Sequence, residues 1–504
     1  MAKTRWGLCS TLALATAACF GALTLAQAQS SHRTVQTVHL EKFPYSGSVL
    51  MARAIRAGLV TPAFAPAGGL PPALKCTPKP CALPNVQASE GGSPVDETPI
   101  SVDPNNAKHV LTAGNDYNCS SSLQGYFAST DGGSTFNHSC GTLASGAGGG
   151  DGDPVVGWDL NGVAYRGGID SADNLEIVIG KSTDFGATWS TPLVAAHITG
   201  IDMDKPWLEI DTSPASPRKN SLYVSMTQFS GNNTQIGVSH STNGGTTWTL
   251  VNVDPQQIYP NLDQFSDMAI GADGTVYVSW MRCTANGPTG DCGGTTASQW
   301  VSKSTDGGST WSAAVKIHNA NLAPDSCGAF YGCLPNTFER ISNIPVIAID
   351  NSATGSFGTL YVADYNWTGT YMQVQATSSG DGGATWDNAM GVTPSADTHD
   401  QFFPWVNVSG NGTIGVTWLD RSLDPANINY DAFGAAAKKI RKLKNTNLRL
   451  STVSSNPFND GFGSGFMGDY TGNAWVTGKQ KLYMSWSDTR SGTDTQDEVG
   501  GMMP

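Results

Sequence analysis

From about residue 86 onward, short runs of alternating apolar and polar positions recur, each closed by Gly, Asn or Asp. The clearest are 109–116 (HVLTAGND), 163–169 (VAYRGGI), 222–228 (LYVSMTQ), 276–282 (VYVSWMR), 360–366 (LYVADYN), 414–420 (IGVTWLD) and 482–488 (LYMSWSD). A period of two predicts half-buried strands. Each run is the second part of a four-part unit. An apolar strand led by an acidic residue comes before it, and two further strands follow. Radial repetition of such units predicts an all-β chain, a β-propeller of four-stranded antiparallel blades over residues 86–504. Seven units predict seven blades, with six as the alternative.

The turn between the third and fourth parts is nearly the same octapeptide in five units: 129–136 (STDGGSTF), 182–189 (STDFGATW), 241–248 (STNGGTTW), 304–311 (STDGGSTW) and 379–386 (SGDGGATW). An Asp or Asn side chain that accepts backbone amides, followed by a Gly with positive φ, makes a tight turn. The final aromatic residue packs that turn onto a neighbouring sheet. Asp131, Asp184, Asn243, Asp306 and Asp381 are therefore expected to be structural. Unit six has lost the motif at 430–439 (YDAFGAAAKK), where basic residues 438–444 replace it. Unit seven is short of a fourth strand, which 84–89 (PNVQAS) is placed to supply from the other end of the chain.

Residues 1–28 read as a secretory signal: Lys3 and Arg5, an apolar run, then an A-x-A site at 26–28. Lipid attachment at Cys19 is disfavoured, because Thr16 stands where such signals carry Leu. No later stretch is long and apolar enough for a membrane helix. The product is expected to be exported, extracellular or periplasmic. Residues 29–85 are Pro/Ala-rich and predict an extended leader or linker, with a short helix at 48–58 that is either removed or loosely docked. Outside the signal, cysteines fall into four local couples, Cys76 with Cys81, Cys119 with Cys140, Cys283 with Cys292 and Cys327 with Cys333, read as loop disulfides. Only 14% of the 504 residues are charged, and the net charge of −13 argues against a nucleic-acid partner. Oligomeric state is not legible.

Propeller geometry places the octapeptides on one face and the starts of the inner strands on the other. The second face collects Asp151, Asp153, Asp204, Lys205, Asp263, Asp267, Glu339, Arg340, Asp400, Asp469 and Tyr470, with Arg166, Arg282, Arg421 and Arg490 at the ends of second strands. Loops converging on an axis suit a ligand pocket. The competing reading is a scaffold of Asp–Arg braces, which recurrence in several blades favours for any single residue. Asp151 and Asp204 also offer hard oxygen ligands for a structural calcium ion; no other cofactor is required.

The octapeptide resembles the Asp box, or BNR repeat, of bacterial sialidases and related β-propellers. That resemblance implies a secreted glycoside hydrolase, exo-α-sialidase-like, acting on terminal residues of extracellular glycans. It implies a trio of arginines on the sugar carboxylate, drawn from Arg282, Arg421 and Arg490, with Arg340 and Arg166 as substitutes. Tyr470 is then the nucleophile, Glu339 its partner and Asp153 the acid/base. The alternatives are a non-catalytic propeller that binds glycan or protein, and another carbohydrate-active propeller such as a polysaccharide lyase. Arginines that converge on one point favour the hydrolase; arginines each locked to an Asp favour binding or scaffold.

Overall fold

The seven alternating runs are strands at nearly their expected bounds, from Val110–Asp116 in the first unit to Leu482–Asp488 in the last. The structure is a computed structural model and describes residues 44–64, 79–286, 290–463 and 465–504. It contains seven antiparallel sheets, one per unit. The inner strands are Ile100–Val102, Gly149–Trp158, Asp202–Ile210, Asn261–Ile270, Val346–Ile349, Gln401–Val408 and Gly472–Trp475, for blades one to seven in chain order.

Blade seven is completed from the N-terminal side. Its last strand, Gln496–Met503, pairs with Val86–Gln87 (Val86 opposite Val499) and with Cys81–Ala82 (Cys81 opposite Met503). The borrowed strand thus begins a few residues earlier than the linker boundary expected at 85. Closing the ring leaves no sheet edge between first and last blades.

Each core lies between neighbouring blades. Trp189 packs with Leu111, Tyr126 and Val156, between blades one and two, and Trp386 packs with Tyr277, Leu360 and Val362, between blades four and five. The octapeptides build the turns their chemistry dictates. Asp131 accepts the amides of Ser134 and Thr135 at 2.9 Å and the Thr135 hydroxyl at 2.7 Å, while the Ser129 hydroxyl accepts the Gly133 amide at 2.9 Å. Gly133 sits at φ +79°, where a side chain would be strained. Asp184, Asp306 and Asp381 make the same bonds to Thr188, Thr310 and Thr385. In blade six a short helix, Ile440–Leu443, takes the place of this turn.

The threonine hydroxyl and amide lower the Asp306 carboxyl to about 2. A carboxyl whose pKa is lower in the folded state stabilises the turn above its ordinary range and loses that contribution as pH falls toward 2. The melting-temperature difference between the wild type and Asp306→Ala is therefore expected to be constant down to about pH 4 and to shrink below it, as thermal melts across pH 2–7 would show.

Within the expected leader, residues Gly47–Arg56 form a helix, α1. Ser46 caps it by accepting the Val49 amide, and its apolar face (Val49, Leu50, Met51, Ala52, Ala54) is buried. Burying Val49, Leu50 and Met51 contributes about 1.5–3 kcal/mol each, so α1 is firmly docked on the propeller. Its partners include Leu123, Phe462 and Phe466, far away in sequence.

Disulfides join Cys119 to Cys140, Cys283 to Cys292 and Cys327 to Cys333, with Cα separations of 5.3, 6.0 and 6.2 Å. Cys81 is also disulfide-bonded, and its expected partner Cys76 lies outside the described residues, as does the signal at 1–28. Among the described residues no helix is long and apolar enough to cross a membrane.

Candidate functional site

Five inner strands begin through the same distortion. Glu97, Asp153, Lys205, Phe265 and Phe403 all have left-handed backbone, with φ between +49° and +64°. In blades two, three, four and six the pairing register shifts at this point. Non-glycine residues held at positive φ cost roughly 1–3 kcal/mol each and cluster at functional sites. Bulges of this kind re-aim side chains.

These residues line a funnel with more acid than base. Asp96, Glu97, Asp153, Asp204 and Asp469 are buried there, with Lys205 and Arg340 as the buried cations among the described residues. Asn115 ties two of the acids together, donating to Asp96 at 2.7 Å and accepting the Asp153 amide at 2.8 Å. Burial raises the Glu97 carboxyl well above its usual range, and the charge and hydrogen bond of Asp153 add to the shift. Among the described residues Glu97 Oε2 and Asp153 Oδ2 have no other hydrogen-bond partner, which leaves the two carboxyls to bond each other. Burial and the Asp153 charge likewise push Asp204 up to about 7. Tyr470 is buried beside them, its hydroxyl donating to the Pro154 carbonyl at 3.0 Å. Burial first, then Glu97 and Asp153, hold its phenol protonated well above the ordinary value. Lys205 makes no hydrogen bond with any described residue; its ammonium lies 4.0 Å from the Tyr470 ring centre and 5.1 Å from that of Trp207.

The funnel is filled. The start of α1 inserts its free amides among the carboxylates: Ser46 N–H donates to Asp204 and Gly47 N–H to Asp469, both at 2.7 Å. The Ser48 hydroxyl donates to Asp153, and Arg56 pairs with Asp151. Tyr45 donates to Asp202 at 2.8 Å, while the Pro44 carbonyl accepts from Gln264 at 3.1 Å and Tyr331 at 2.8 Å. The positive end of a helix favours nearby anions, which explains why an N-terminal turn fits here.

Among the sequence candidates, Asp153 and Tyr470 come together, with Arg340 close by through Asp469. Glu339 lies apart from Tyr470 in bonding terms: it accepts from Arg421 at 2.7 Å, and burial raises it to about 8. Four of the five candidate arginines, Arg282, Arg340, Arg421 and Arg490, are held by acids. Arg282 pairs with Asp263 at 2.6 Å and with Asp254, Arg421 with Glu339 and with Asp400 at 3.4 Å, and Arg490 with Asp488 at 2.8 Å and Glu498 at 3.2 Å. Arg340 bonds Asp469 and the Tyr45 carbonyl, and Arg166 bonds Thr142 at 2.9 Å. Asp151 is held by Arg56 and Ser171, and Asp204 by the Ser46 amide and Gln264. Among the described residues the cluster with three converging ligand groups is Cys119, His138 and Cys140, whose cysteines are joined to each other.

Asp96 and Glu97 were not singled out from sequence. The pattern that marks the other bulges passes them by: Asp153 stands directly before Pro154 and Lys205 before Pro206, whereas Thr98, not Glu97, precedes Pro99. The residue before a proline is steered away from right-handed helix, which suits a bulge at a strand start.

On the octapeptide face, a second space opens along the axis, a cavity of about 670 Å³. At one level the inner strands present Ser101, Gly157, Glu209, Ala269, Ala348, Asn407 and Ala474, all at equivalent register with their second strands. Trp207 and Trp405 line it, 4.4 Å apart between ring centres, and both pack on Tyr470 at 5.7 and 6.2 Å. That aromatic trio separates the cavity from the acidic funnel.

Fold and site together define a seven-bladed propeller with an acid-lined axial funnel. No family profile matches the sequence, and no curated protein matches it. Among solved structures, a protein of unknown function from Dyadobacter fermentans aligns at 14% identity over 69% of this chain and 93% of its own, with a TM-score of 0.45. A leech intramolecular trans-sialidase aligns at 11% identity over 78% and 72%, with a TM-score of 0.46. An α-L-arabinofuranosidase of Fusarium graminearum aligns at 13% over 69% and 91%, with a TM-score of 0.40. At these values no activity passes from those proteins to this chain.

Proposed function

We propose that the protein is an exported, carbohydrate-active propeller that hydrolyses terminal residues of extracellular glycans at the acidic funnel, and that α1 covers the site in the form described. The carrying observation is the juxtaposition of three buried groups, Glu97 and Asp153 on strained left-handed backbone and Tyr470 beside them. In this reading Asp153 is the acid/base, Tyr470 the nucleophile, and Glu97, rather than Glu339, the carboxyl that takes the phenol proton once displacement of α1 admits water and lets it ionise. Arg340, the one arginine within the funnel, orients the sugar. A neutral terminal sugar suits this surplus of carboxyls better than sialic acid, whose own carboxylate needs unpaired arginines; with a neutral sugar the nucleophile would be Glu97, and Tyr470 takes that role for an anionic one.

A second reading, a non-catalytic binding propeller, is favoured by the pairing of Arg282, Arg421 and Arg490 with acids. Release of 4-methylumbelliferone from a panel of neutral glycosides and from the sialoside separates the two. Hydrolysis of a neutral glycoside that falls on the order of a hundredfold or more in Asp153→Asn supports the acid/base role. No turnover by the full-length protein or by a variant with α1 displaced would leave the binding reading standing. Turnover of the sialoside alone would restore an anionic substrate.

A further inference from the structure

We propose that the axial cavity on the octapeptide face is a binding site for a small organic cation of the alkylammonium class. This site is separate from the funnel and does not rest on hydrolysis there.

Glu209 is the observation that carries it. At its level six blades contribute Ser, Gly, Ala or Asn, and blade three alone contributes a carboxyl. The small neighbours keep the ring wide, and Glu209 is half-buried with part of its side chain reaching the cavity. It makes no hydrogen bond with any described residue; burial first, then the acidic Asp267 and Asp211, raise its carboxyl well above the ordinary range, and a cation arriving beside it would favour its ionised form. The one basic side chain along the lining, Lys479, stands in an exposed turn at the mouth. A water-filled tunnel gives no reason for an acid here, since isolating a carboxyl away from bulk water without a partner costs free energy.

The floor completes the complement. Half-buried Trp207 offers indole surface below the carboxyl, backed by the buried ring of Trp405. An aromatic floor facing a single carboxylate is the arrangement that holds an alkylated ammonium, through its charge and its C–H surface together. The volume lies within the range of small-molecule sites. A neutral sugar could stack on the indoles but would leave the carboxyl uncompensated.

The test uses the full-length protein and tetramethylammonium chloride, followed by tryptophan fluorescence and calorimetry, with sodium chloride at matched ionic strength and neopentyl alcohol as the uncharged isostere. Saturable binding of tetramethylammonium is expected, weakened about tenfold or more in Glu209→Gln. Ala348→Leu, which narrows the ring and keeps the carboxyl, is expected to weaken it as well. Near-ultraviolet circular dichroism and the melting temperature check that both variants are folded. The proposal is overturned by the absence of saturable binding in the wild type, by equal affinity in folded Glu209→Gln, or by neopentyl alcohol binding as tightly as the cation.

Discussion

Arg421→Ala is expected to unfold at markedly lower urea concentration than the wild type, with a loss of about 3–5 kcal/mol. Arg421 is fully buried, donates to Glu339 and Thr337 at 2.7 and 2.8 Å, and reaches Asp400 and the Asn427 carbonyl at 3.4 and 3.3 Å. Removing the guanidinium leaves two buried carboxyls facing each other between the approach to blade five and the start of blade six. The double variant Arg421→Met with Glu339→Gln is expected to recover much of the loss, because it removes the stranded charge as well as its partner. An equilibrium urea series on the single and double variants gives the comparison. A loss below about 1 kcal/mol for Arg421→Ala would mean that the pair behaves like a solvated surface bridge.

Gly47→Val should free the funnel. A side chain at position 47 would overlap the Arg340 guanidinium and the Phe466 ring, and neither has room to move aside. Overpacking of this kind costs about 1–3 kcal/mol, which raises the undocked fraction of α1 roughly five- to 150-fold. Limited proteolysis should cut the variant within residues 44–64 under conditions that spare the wild type. If the funnel is catalytic, glycosidase activity should rise by a similar factor. Increased cleavage without a rise in any activity would keep α1 as a docked segment and weigh against hydrolysis.

The blades were legible because strand periodicity and turn chemistry are local. Runs such as Leu482–Asp488 and the Asp131 turn carry their own instructions, and even the closing strand near Val86 could be placed by noticing that the last unit lacked one. The docking of α1 was not legible in the same way. Its sequence lies in a Pro/Ala-rich stretch, and the groups that hold it, Asp204, Asp469 and Phe466, belong to blades hundreds of residues away. The candidate site was half visible. Asp153 and Tyr470 were found as residues on one face, whereas Glu97 was hidden by a bulge that only the positive backbone angle reveals. Arginine partners were hidden for another reason: W-x-D-x-R in blade seven pairs within itself, as Arg490 does with Asp488, but Arg421 skips the aspartate beside it and reaches Glu339 and Asp400.

The borrowed strand imposes an order of events on biosynthesis. Residues 81–87 leave the ribosome among the first of the propeller, yet their partners, 496–503, are the last to appear. Until then the earliest segment has no sheet to join, and blade one faces a missing neighbour. A chain cut short by a premature stop within its final strand would therefore be defective at both ends at once, with seven blades' worth of sequence and an unsealed ring.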